Sequence, residues 1–243
     1  MGAAFVWGFI GASSLIVGGV FAMAVKIRPR TLGLVMAFGG GVLVSAVAYE
    51  LVLDAFTITE DGGRWVALGL LAGAVTYYAG DAVVDRMGGS ERKRSAAAGA
   101  GSALAIVLGI VLDGIPESVV LGLTLIDEGQ IGVAVLAAIF LSNLPEAVAA
   151  TSGLVAGGWP GRNIIGLWML VSLVSGLAAM LGFAIFDTAP TATVAFVEAF
   201  AGGAILTMLA DTMFPEAYEH GGKQVGLLTT LGFFVAFLLT TLE

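Results

Sequence analysis

Long apolar runs separated by short polar breaks organise this chain. Apolar segments fall at roughly 4–25, 31–54, 65–86, 101–126, 130–155, 163–186, 193–217 and 224–242. Each is long enough to cross ~30 Å of hydrocarbon as a helix. The breaks carry turn and charge signals: Arg28-Pro29-Arg30, Glu60-Asp61-Gly62-Gly63, Gly88 to Ser95, Asp127-Glu128-Gly129, Gly157-Gly158-Trp159-Pro160, Asp187 to Pro190 and Gly221-Gly222-Lys223. The pattern predicts an all-α polytopic membrane protein with eight transmembrane helices in a single domain, 1–243.

Composition agrees: 58% of residues are hydrophobic, 12% are charged, and mean hydropathy is +1.02. Soluble domains carry about a quarter charged residues. Positive charge is absent before Lys26, the wrong order for a cleavable signal peptide, so the first segment reads as a retained helix. With the N-terminus outside, Lys26, Arg28, Arg30, Arg86, Arg92, Lys93, Arg94, Arg162 and Lys223 all fall at the cytoplasmic face. Only Arg64 falls outside, so the basic residues predict a multi-pass protein of the inner or plasma membrane with both termini extracytoplasmic. The basic stretch Ser90–Ser95 then reads as a cytoplasmic topology determinant.

Segments 2 and 7 match at a constant offset of 162: Phe38 with Phe200, Gly40-Gly41 with Gly202-Gly203, Ser45 with Thr207, Ala48 with Ala210, and Asp54-Ala55 with Glu216-Ala217. They run in opposite directions across the membrane. A 3+2+3 inverted repeat follows, with segments 1–3 and 6–8 flanking a central pair. Such repeats place a site near the midplane of alternating-access transporters.

The central pair carries the candidate chemistry. Asp113-Gly-Ile-Pro-Glu117 and Ser142-Asn-Leu-Pro-Glu146 align position for position. A charged side chain at mid-membrane costs ~2.5–3.5 kcal/mol on insertion scales. Asp113 and Glu117 stand at i and i+4 on one helix face, and Asn143 and Glu146 at i and i+3. Pro116 and Pro145 lack N–H donors, which frees the carbonyls of Leu112 and Leu141. Carboxylates, an amide, the Ser142 hydroxyl and freed carbonyls make an oxygen-rich cluster that a cation would neutralise. Prolines that only kink their helices, and single acids bonded to a neighbour, are the blander reading. The repetition on paired helices favours a site.

Further acids could line a path: Glu50 and Asp54 on segment 2, and Asp211 and Glu216 on segment 7. Asp81 and Glu198 suit either a pore or helix packing, and Glu219-His220 an exit or a solvated helix end. Asp127, Glu128 and Asp187 read as external-loop charges. Cysteine is absent and His220 is the single histidine, which excludes disulfides, thiolate sites and histidine clusters. No Gly-Lys-Ser/Thr string follows a strand and no basic face exists, so neither nucleotide nor nucleic acid is an expected partner. No Ser-His or His-Glu-x-x-His arrangement exists, so an intramembrane hydrolase is disfavoured and no enzyme is expected.

On these residues the chain resembles the ZIP (Zrt/Irt-like) family of divalent-metal transporters. The resemblance rests on eight spans, the 3+2+3 repeat, the two Pro-Glu motifs and the string Leu209-Ala-Asp-Thr-Met-Phe-Pro-Glu-Ala-Tyr-Glu-His220, similar to a bacterial branch. It implies metal coordination by Glu117 and Glu146, with Asn143 at a position where the family often carries a ligand. The family's segment 4 histidine is Asp113 here, its asparagine is Gly114, and its segment 5 histidine is Ser142. Asp113, Glu117, Asn143 and Glu146 are the expected ligands, and Glu50, Asp54, Ser142, Asp211, Glu216 and His220 the expected path. Zinc is the family's first expectation; an all-oxygen site also suits Mn²⁺, Mg²⁺ and similar ions, with iron and cadmium as further candidates. A proton- or ion-coupled carrier of another solute, and a non-transporting metal-binding member of the fold, are the alternatives. Membrane lipid and a divalent cation are the expected partners, and small-residue faces leave room for a homodimer.

Overall fold

The computed structural model describes residues 1–25, 27–86, 100–127 and 133–241. Among them the chain is helical, with no strand. Helices satisfy every backbone group within one segment, as hydrocarbon requires. The helices are α1 (Gly2–Ala24), α2 (Pro29–Thr57), α3 (Gly62–Arg86), α4 (Ala100–Asp127), α5 (Val133–Ala156), α6 (Gly161–Phe186), α7 (Thr191–Gly221) and α8 (Gln224–Thr240). Six of them, α1, α2, α3, α5, α6 and α7, are long and apolar enough to cross a membrane. The apolar α8 is shorter at 17 residues, and α4 is 28 residues long.

The boundaries follow the breaks to within a few residues, with two shifts that matter. α2 continues past the expected end at 54 to Thr57. α7 continues past 217 to Gly221, which puts Glu219 and His220 inside its last turns. Pro29 opens α2, while Pro160 and Pro190 stand just before α6 and α7, where a missing N–H costs nothing. Gly222 ends α7 at φ +62°, in the region that favours glycine. The expected basic loop around Ser90–Ser95 and the Glu128-Gly129 turn lie outside the described residues.

A feature absent from the expectations interrupts two helices. α2 adopts π geometry over Val47–Leu53, and α7 does so over Leu209–Met213. Leu209 is Val47 shifted by 162 (209 − 47), the same offset that relates the two sequences. Such wide turns recur at functional positions in helices.

Helix pairs interlock through glycine. Across α2 and α8, a Cβ on Gly41 would overlap the Thr229 carbonyl, and one on Gly232 the Phe38 carbonyl. Across α7 and α3, Gly203 meets the Leu70 carbonyl and Gly73 the Phe200 carbonyl. The two crossings therefore use related residues: Gly41 corresponds to Gly203, and Phe38 to Phe200. A second group joins α1, α4, α5 and α6. There Gly8 packs on Ser175 and Ala179, Gly18 on the Leu144 carbonyl, and Gly122 on the Ala179 carbonyl. Trp168 donates its indole N–H to Thr151 at 2.9 Å, and Ser172 donates to the Ala12 carbonyl at 3.0 Å. Small residues allow this close approach, which drives helix association where lipid is as apolar as the side chains.

The helix ends sort by charge. Arg30 Nη2 donates to Gln224 Oε1 at 3.0 Å, joining the starts of α2 and α8. Gly33 packs against Ala217 and Gly221 at the end of α7, and Gly161 at the start of α6 meets Met23 at the end of α1. Arg28, Arg30, Arg162 and Lys223 therefore share one end of the bundle. At the other end, Ala55, Val66, Ala195 and Ala199 form one cluster, close to Arg64.

Candidate functional site

α4 and α5 run through Pro116 and Pro145 as continuous helices. Asp113 and Glu117 lie on one face of α4, 7% and 1% exposed. Ser142 and Asn143 of α5 are buried beside them. Asn143 Nδ2 donates to Glu117 Oε2 at 3.1 Å. The Ser142 hydroxyl donates to the Ile139 carbonyl at 3.0 Å, and its approach to Glu117 Oε1, at 3.5 Å, is long for a hydrogen bond. The fixed partner of Glu117 is thus an amide from the opposite motif.

Asp113 is held from a different direction. The Tyr77 hydroxyl, on α3, donates to Asp113 Oδ1 at 2.5 Å. The Tyr77 ring is buried, and Gly80, one turn further along α3, packs against Leu112 next to Asp113. Ser118 donates to the Gly114 carbonyl at 2.6 Å. The Leu141 carbonyl that Pro145 frees faces Gly39 of α2, where a Cβ would lie 3.1 Å from it and 3.2 Å from Ser142 Cα. A larger residue there would push α2 and the α5 motif apart by a few tenths of an ångström.

The remaining expected residues are more dispersed. Glu146 is half-buried, although it occupies the motif position of Glu117. Glu50 is half-buried in the first π segment, and Asp211 is exposed in the second. Asp54 and Glu216 are half-buried near the ends of their π segments, and half-buried His220 packs beside Gly33 at the basic end of the bundle. Asp81 and Glu198 are buried, at 6% and 2% exposed. Asp81 lies one turn beyond Tyr77 on the same face of α3.

The donor set is all oxygen and amide, which fits a hard or borderline divalent cation by type. Its arrangement is less closed than the motifs suggest. Among the described residues, no three His, Cys, Asp or Glu side chains form a group that could hold a metal ion. The structure instead joins Glu117 with Asn143, and Asp113 with Tyr77. Tyr77 is the residue the motif reading missed. Its signal was available: a tyrosine within an apolar span, one turn before an aspartate.

No family model matches this chain, and no curated protein matches it.

Proposed function

We propose that the chain is a ZIP-like membrane transporter that moves a divalent metal cation into the cytoplasm through a carboxylate-lined midplane site. Glu117 carries this reading: a carboxyl group 1% exposed, beside a proline, bonded to an asparagine of the matching motif. Asp113, Glu117, Asn143 and Glu146 are the proposed ligands, with the freed Leu112 and Leu141 carbonyls near them. Glu50 and Asp211, in the two π segments, would line the route.

The proposed architecture is eight spans in a 3+2+3 inverted repeat, with both termini outside the cell membrane. The paired π segments and the related Gly41 and Gly203 crossings support the repeat. At 17 residues α8 would span about 25 Å, enough for the hydrocarbon with slight thinning. The common location of Arg28, Arg30, Arg162 and Lys223 supports the sidedness. Alternating access would come from the group of α1, α4, α5 and α6, which holds the proposed ligands, rocking against α2, α3, α7 and α8. Each cation would exchange hydration water for carboxylate and amide oxygens, then leave toward the basic end past Glu216 and His220.

A second reading, a proton-coupled carrier of another solute, is favoured by the lack of a three-acid group among the described residues. Flux into proteoliposomes separates the two. The metal reading predicts saturable uptake of at least one of Zn²⁺, Mn²⁺, Fe²⁺, Cd²⁺ and Mg²⁺ without an imposed pH gradient. Flux driven only by a pH gradient and indifferent to divalent metal would favour the second.

A further inference from the structure

We infer that Met213 supplies a thioether sulfur to the cation site and so tilts it toward Zn²⁺ and Cd²⁺ over Mn²⁺ and Mg²⁺. The inference rests on the reading of the α4–α5 centre as a cation site. Met213 ends the π segment of α7, where the Phe214 N–H donates to the Leu209 carbonyl five residues back. It is 2% exposed. Its terminal methyl lies 3.4 Å from the point that a Cβ on Gly39 of α2 would occupy. The Leu141 carbonyl oxygen lies 3.1 Å from the same point, and Ser142 Cα 3.2 Å. Ser142 in turn borders Glu117, whose Oε1 stands 3.5 Å from its hydroxyl. The end of the Met213 side chain therefore borders the α5 motif where that motif adjoins Glu117.

Packing alone does not call for sulfur there. The repeat offset of 162 relates Met213 to Leu51 and Gly39 to Ala201. Leu51 and Ala201 are both buried in the apolar core, so hydrocarbon suffices at the corresponding positions. On the α5 side a glycine stands for the alanine and a thioether for the leucine. Methionine is unbranched, with three rotatable bonds and a polarizable sulfur. The sulfur bonded to that methyl can thus turn toward the Leu141 carbonyl and Ser142. Thioethers favour zinc and softer ions, whereas carboxylates, carbonyls and water suit Mg²⁺ and Mn²⁺.

The test is X-ray absorption of Cd²⁺ bound to the full chain, purified in sulfur-free detergent and buffer, with Cd²⁺–Mn²⁺ competition read by equilibrium binding. The chain has eight methionines and no cysteine, so any sulfur bound to Cd²⁺ is a thioether. Wild type is expected to show sulfur in the Cd²⁺ coordination shell. Met213→Leu is close in volume and is expected to lose that sulfur. Its Cd²⁺-over-Mn²⁺ preference is expected to fall about tenfold, the low end for loss of a group around a metal. Met208→Leu, at another buried methionine of α7, is expected to change neither. A wild-type shell of oxygen and nitrogen alone overturns the inference and leaves the cation site standing, whether or not the variants fold. Sulfur that persists in Met213→Leu also overturns it, because another methionine would then be the ligand. A wild-type chain that binds neither ion overturns the cation-site reading and the inference together.

Discussion

The two Pro-Glu motifs share their spacing but not their surroundings. Glu117 of α4 is 1% exposed and takes an amide hydrogen bond from α5, whereas Glu146 of α5 is half-buried. Both glutamates follow a proline that interrupts the backbone ladder of its helix. The difference lies in the facing residues. Asn143 stands one turn before Glu146 and reaches across to Glu117; in the other motif Asp113 stands one turn before Glu117 and is held by Tyr77 of α3. A repeated motif thus marks a pair of helices, and the residues around it make one copy the anchored centre and the other a more open flank.

The comparison can be broken at its polar contacts. Removing the Asn143 amide is expected to have the largest effect on the fold. Asn143→Leu leaves a buried carboxyl group without its donor, a loss of about 2 kcal/mol. It would appear as a lower midpoint of thermal unfolding in detergent; an unchanged midpoint would show that Glu117 is supported otherwise. A milder effect is expected at the open copy. Glu146→Gln is expected to slow cation uptake only about tenfold, or ~1.4 kcal/mol, because water can replace one ligand at a half-exposed position. Complete loss of uptake in that variant would mean that the two glutamates act as equals.

Much of the fold was legible in the sequence because apolar length and turn residues determine helices in membranes. The ends of α1, α6 and α8 fall within a few residues of the expected ones, and Pro29, Pro160 and Pro190 mark three helix starts. The pairing of Glu117 with Asn143 of the matching motif was also legible, since the shared spacing and paired prolines set α4 and α5 side by side. The π segments at Val47–Leu53 and Leu209–Met213 were not. A wider turn shifts the phase of a helix, and in Val42 to Leu53 only Ser45, Tyr49 and Glu50 break the apolar run, too few polar positions to reveal that shift. Tyr77 was missed for another reason: the sequence shows a tyrosine in an apolar span one turn before Asp81, but not that the crossing of α3 with α4 brings its hydroxyl to Asp113. The distribution of acids along α7 was only partly legible. Asp211 is exposed and Glu198 buried, a difference that apolar length and turn signals do not encode.

The central claim is that a divalent cation is carried at Glu117. Its most direct test is uptake into proteoliposomes by wild type and by Glu117→Gln, with matched protein content and helicity. The glutamine keeps an oxygen for Asn143 to donate to, so the variant is expected to fold. The account predicts saturable divalent-cation uptake by wild type and a loss of at least about a hundredfold in the variant, or ~2.7 kcal/mol. Equal uptake by the two proteins would contradict it.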